Sequence, residues 1–178
     1  MKLQKYIDKI DSIGLSRHHY NDEINYSIFG TRTVANSGII REFQASSTNK
    51  YKLHSRCNLI HGYIDDIDSV KKYLENSAEL GIIWAGFVTL MPLNQFCKDN
   101  EVCSKGLFSD TDFYRNELWN RFENNKLECQ CADYLYVTER GKIIKFYNRI
   151  FCNNELNAGQ LVFDGEYLRQ GFGGEIIY

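Results

Sequence analysis

Residues 51–91, YKLHSRCNLIHGYIDDIDSVKKYLENSAELGIIWAGFVTLM, decide how this chain folds. Residues 52–60 read as a strand that stops at His61-Gly62. The acidic run Asp65-Asp66-Ile67-Asp68-Ser69 then suits a helix entry, where a side-chain oxygen caps free N–H groups and negative charge meets the positive end of the dipole. Val70, Tyr73, Leu74, Ser77 and Ala78 recur at helical spacing, and Gly81 closes the helix. Residues 82–90, IIWAGFVTL, are a near-continuous apolar run of strand length halted by Pro92. Such a run predicts a strand covered on both faces, as in a parallel sheet. Strand, helix, buried strand is a βαβ unit.

Working upstream, residues 10–18 alternate as a strand, with Ile13 and Leu15 facing one way and Ser12, Gly14, Ser16 and His18 the other. Asn36 caps a short helix whose apolar face is Ile39, Ile40 and Phe43. Downstream, Tyr114, Leu118 and Phe122 fall at helical spacing after Thr111 and predict a further helix over residues 112–124. Beyond Lys126 the pattern changes. Residues 131–138 and 143–151 read as a β-hairpin around Glu139-Arg-Gly-Lys142, and residues 161–163 as a further short strand. The expected architecture is α/β: an incomplete (β/α) barrel of about three parallel strands over residues 1–126, with an antiparallel β appendage over residues 127–178.

The chain has 178 residues, 21 Lys+Arg against 23 Asp+Glu, 43% hydrophobic and 14% aromatic residues. This is far too apolar for a disordered chain, and the near-neutral charge lacks the basic footprint of sequence-independent nucleic-acid binding. Met1-Lys2-Leu3-Gln4-Lys5-Tyr6 carries no apolar signal core, and no stretch reaches membrane-spanning length. The expectation is a cytoplasmic protein with reduced thiols and no membrane partner. The six cysteines are separated by 40, 6, 26, 2 and 21 positions, which excludes paired CxxC knuckles.

Three groups of residues carry possible chemistry. Ser16 and His18 on one strand, and His54, Arg56 and Asn58 on the next, make polar faces where helix-packed strands are normally apolar. In a β/α barrel such faces line the interior and the ligand-binding mouth; otherwise they form a structural network with Arg56 in an ion pair. Ser16-Arg-His-His-Tyr-Asn-Asp-Glu23 reads either as a metal site or as a loop held by hydrogen bonds, with His18 available as a general base. Cys97, Cys103, Cys129 and Cys131 suit either a soft metal or iron–sulfur cluster, or simple core filling. The hairpin aromatics Tyr134, Tyr136, Phe146 and Tyr147 read as core rather than as a stacking surface for bases.

The order and spacing of residues 16–23, the strand Leu53-His-Ser-Arg-Cys-Asn-Leu-Ile-His-Gly62, Ile67-Asp-Ser-Val with Tyr73-Leu74, Glu79-Leu-Gly-Ile82 and Phe87-Val-Thr-Leu-Met-Pro92 resemble the second half of a radical S-adenosylmethionine (radical SAM) enzyme. The resemblance covers residues 10–94. It implies the fourth to sixth strands of a partial barrel, S-adenosylmethionine and a [4Fe–4S] cluster as cofactors, and cofactor contacts from Ser16, His18, and Arg56 or Asn58. In that family a CxxxCxxC loop holds the cluster, and no three cysteines here have that spacing. The resemblance therefore implies a radical SAM catalytic-domain fragment, inactive alone: a piece of a longer enzyme, a natural stump, or half of a two-chain enzyme, with an N-terminal half-barrel or a second copy of itself as partner. Two alternatives stand beside it: a small α/β ligand-binding module without redox chemistry, and a metal-binding accessory protein built on the four cysteines. No residue identifies the substrate or a catalytic group.

Overall fold

The computed structural model describes residues 12–46, 53–82, 84–90, 94–102, 107–108, 113–115, 131–149, 161–163 and 168–170. In chain order the elements are β1 (Ile13–Ser16), α1 (Asp22–Phe29), α2 (Ser37–Ser46), β2 (Leu53–Leu59), α3 (Ile67–Glu79), β3 (Trp84–Thr89), α4 (Gln95–Asp99), β4 (Phe113–Arg115), β5 (Cys131–Val137), β6 (Ile143–Arg149), β7 (Leu161–Phe163) and β8 (Leu168–Gln170). The chain is mixed α/β, with a six-stranded sheet in the order β1-β2-β3-β6-β5-β4 and a separate β7-β8 pair. Strands β1, β2, β3 and β6 are mutually parallel, and β5 runs antiparallel to both β6 and β4.

Local sequence explains the helices. Asp66 accepts from the Ser69 N–H at 2.7 Å and Ser69 reciprocates toward the Asp66 backbone, a capping box that starts α3 where the acidic run predicts it. Asn36 accepts from the Ile39 N–H at 2.9 Å and opens α2. Gly81, at φ +76°, turns the chain out of α3 toward β3.

The core lies on one side of the sheet. Ile40 and Phe43 of α2 pack with Leu53, Leu80 and Ile82, with Ile13 and Leu15 against them. Val70, Tyr73 and Leu74 of α3 pack with Cys57, Leu59, Ala85, Phe87, Ile144 and Phe146. Leu53, Cys57 and Leu59 alternate along β2 onto one face. Both helices therefore cover the same face, while β1, β2 and β3 follow each other in spatial order. From β1 to β3 the chain therefore moves one strand along the sheet at each crossover, with α2 and α3 on the same side.

Four sequence expectations change. Residues 113–115 form strand β4 paired with β5, so Tyr114 sits on a sheet edge and not on a helix; cross-strand pairing with Leu135 overrides a three-residue apolar periodicity. The rest of that expected helix lies outside the described residues. The expected hairpin forms, with β5 antiparallel to β6, but it is part of the same sheet as the parallel strands, because β6 pairs with β3 from Trp84↔Lys145 to Val88↔Arg149. Strand β3 is not covered on both faces throughout, since Trp84 is 47% exposed on the face away from α3. Finally, α1 and α4 have no counterpart in the sequence reading. Both open on an asparagine cap, Asn21 accepting from Glu23 and Ile24, and Asn94 from Cys97.

Candidate functional site

The face of the sheet opposite α2 and α3 gathers the polar residues. The register pairs Gly14 with His54, Ser16 with Arg56, Arg56 with Gly86, and Asn58 with Val88. Alternation then puts Gly14, Ser16, His54, Arg56 and Asn58 side by side, opposite α2 and α3. Ser16 and Arg56 are exposed, and His54 and Asn58 half-buried. Among the described residues the Arg56 guanidinium makes no hydrogen bond or ion pair. The ion-pair alternative for Arg56 is therefore not realised there.

Beneath this polar group lies a floor of rings. Gly14 has no side chain, so the His54 imidazole leans across β1; a Cβ at Gly14 would stand 2.8 Å from its Nε2. Gly86 repeats the device on β3, where the Tyr147 phenol occupies the space a Cβ would need. Trp84 lies between them, 5.4 Å from the His54 ring and 5.9 Å from the Tyr147 ring, centroid to centroid. The His54 Nδ1 is enclosed without a partner among the described residues. Burial, and then the Arg56 charge, lower its pKa, so the ring is neutral at physiological pH.

His18 stands at the end of β1 beside Asn58. Its Nδ1 accepts the Asn58 N–H at 3.1 Å and its ring stacks on Phe29 at 4.6 Å. Burial lowers its pKa to about 4. With Nδ1 engaged as an acceptor, the neutral ring carries its proton on Nε2 and offers a donor. A general base needs a free lone pair, which neither nitrogen then supplies; His18 is built as a hydrogen-bond donor.

The neighbouring residues 17–22 form a hydrogen-bonded loop. Arg17 is 1% exposed and donates to Asp22 at 2.7 Å, to the Tyr20 carbonyl at 2.7 Å and to the Ser37 hydroxyl at 3.2 Å. Asn25 receives the backbone N–H groups of His18 and His19 on its Oδ1. His19 is buried, with Nδ1 accepting from Asn21; burial, then Arg17, lower its pKa. His18 and His19 each have a separate Nδ1 partner, and among the described residues no group of three His, Cys, Asp or Glu is placed to hold a metal. Cys57 is a buried thiol donating to the His18 carbonyl at 3.6 Å, and burial pushes its pKa up. Cys97 lies on α4 and Cys131 on β5, whereas Cys103 and Cys129 fall outside the described residues.

The structure thus brings Ser16, His18, Arg56 and Asn58 together along the same two strand ends. Sequence reasoning missed the ring floor. Its signal was the glycine inside an apolar strand, which marks a place where another group comes close. Comparison of the chain with protein-family models, curated proteins and solved structures gives no match.

Proposed function

We propose that this chain is the later portion of a radical SAM partial barrel, contributing S-adenosylmethionine and substrate contacts but not the iron–sulfur cluster. One observation carries the reading: β1, β2 and β3 are wound in sequence with α2 and α3 on the same face, and the polar residues share the other. A doubly wound sheet would cover both faces with helices; a barrel wall covers only the outer one. The hydroxyl of Ser16, the Nε2 donor of His18 and the amide of Asn58 suit the hydroxyl and amino-acid groups of the cofactor.

The cluster does not fit this sequence, because no three cysteines show the CxxxCxxC spacing. No radical step is assigned to this polypeptide. A second reading, a small α/β module that binds a ligand without redox chemistry, is favoured by the same missing ligand set.

Titrating the purified 178-residue chain with S-adenosylmethionine in a calorimeter tests the proposal. The expected result is saturable binding, weakened in Ser16→Ala and Asn58→Ala, with no 5′-deoxyadenosine after anaerobic iron–sulfide reconstitution and reduction. Absence of binding rejects the cofactor role, and 5′-deoxyadenosine formation rejects the division of labour.

A further inference from the structure

We infer that the sheet face opposite α2 and α3 binds an aromatic anion, a small molecule whose flat ring lies on Trp84 and whose phosphate or carboxylate is held by Arg56. The inference rests on the reading of this face as a ligand cavity and adds the class of molecule it takes.

Arg56 carries five donors in a planar fork and no acceptor, which matches an oxyanion far better than a neutral hydroxyl. Its guanidinium is exposed and, among the described residues, has neither a carboxylate nor a carbonyl partner. It is flanked across the ladder by Ser16 on one side and by Gly86 on the other, where the Tyr147 phenol fills the space a Cβ would take. His54, two residues away on the same strand, carries no negative charge to pair with the arginine, and burial and then the Arg56 charge lower its pKa.

Trp84 supplies the second half. It is 47% exposed on the same face, and His54 and Tyr147 hold its ring from both sides, Tyr147 edge-on at 69° and His54 tilted at 43°. An indole fixed at its flanks and open above is a stacking platform. Trp84 lies one strand across from Arg56 and two residues back along it, so their Cα atoms stand about 8 Å apart by strand spacing and rise. That separation spans the ring and the acidic group of one small molecule.

The test uses the chain carrying Trp119→Phe, in which Trp84 is the remaining tryptophan and reports by fluorescence. The probes are phenyl phosphate, benzoate, phenol and inorganic phosphate. Phenyl phosphate or benzoate is expected to bind at least about tenfold more tightly than phenol and inorganic phosphate, because only they use both halves of the site. The tighter of the two identifies the acidic group. Arg56→Gln is expected to remove that advantage and Arg56→Lys to restore part of it, with circular dichroism confirming that both variants fold. Equal binding of the aromatic anions to wild type and Arg56→Gln overturns the inference, as does inorganic phosphate binding as tightly as phenyl phosphate, or no response to any probe. Parallel titration with S-adenosylmethionine separates the two readings. Cofactor binding without an aromatic-anion response rejects this inference alone, whereas an Arg56-dependent response without cofactor binding rejects the cofactor role alone.

Discussion

Two side chains beside β1 set how the protein answers to acid. The His18 pKa falls from 6.5 to about 4 because burial disfavours the imidazolium. The unfolded chain therefore takes up a proton that the folded chain refuses across that interval. Stability contributed by neutral His18 is complete above pH 6.5 and is lost as the pH falls toward 4, on the order of 2 kcal/mol after allowing for partial exposure. Urea unfolding at pH 7 and pH 5 should show this loss, and His18→Gln, which keeps an acceptor for the Asn58 N–H, should flatten it. An unchanged slope in the variant would reject this assignment. Asp22 acts lower on the scale. Burial alone would raise its pKa, but the Arg17 hydrogen bond and the Ser37 N–H more than offset that and hold it below the ordinary carboxyl value of 3.8. Its contribution is present above that value and lost below it. Asp22→Ala leaves the buried Arg17 guanidinium short of its charge partner and should cost roughly 3 kcal/mol. A loss under about 1 kcal/mol, the range of exposed pairs, would show that the carbonyl and hydroxyl partners of Arg17 suffice without Asp22.

The meeting of β3 and β6 shows what an element demands of one residue. Gly86 leaves room for the Tyr147 ring to lie across β3, and a methyl group there would overlap the phenol. Gly86→Ala should cost at least about 2 kcal/mol through overpacking. Tyr147→Ala should itself destabilise, and the double variant should be well short of additive, since the clash disappears with the ring. Additive losses would place the strain elsewhere. This pairing also marks where sequence ceases to be legible. Asn36, Asp66 and Gly81 announce α2 and α3 through short-range capping chemistry, and the alternation of residues 13–16 gives the two faces of β1. The closing of β6 onto β3 has no short-range signal, because parallel partners about sixty residues apart are chosen by the whole sheet. Tyr114 misleads for the same reason, since a three-residue edge strand is fixed by its neighbour and not by its own periodicity. Helix α1 is legible in short-range terms: Asn21, the acidic Asp22 and Glu23, and Gly30 at φ +65° form a complete start and stop.

For the molecule as a whole, α2 and α3 cover one face of the sheet, and the other carries exposed apolar side chains. Trp84, Val137, Ile143 and Tyr114 all belong to that face, and each is between 47% and 60% exposed. They come from four strands that are consecutive in the sheet, so they adjoin rather than scatter. Adjoining exposed apolar side chains favour association. Among the described residues β1 pairs only with β2, which leaves its other edge as a template for a further strand. Both features predict that the chain by itself assembles with concentration, whether through two sheet faces or through two β1 edges. Light scattering across a dilution series should show a mass above 20.8 kDa that falls on dilution. Trp84→Lys combined with Ile143→Lys should shift the equilibrium to monomer if the faces meet. A proline at Leu15, which removes an N–H and constrains the strand, should do so if the edges meet. A monomer at all concentrations would mean that this face is satisfied within the chain, and a cavity open to a second half-barrel would then have no place in the molecule.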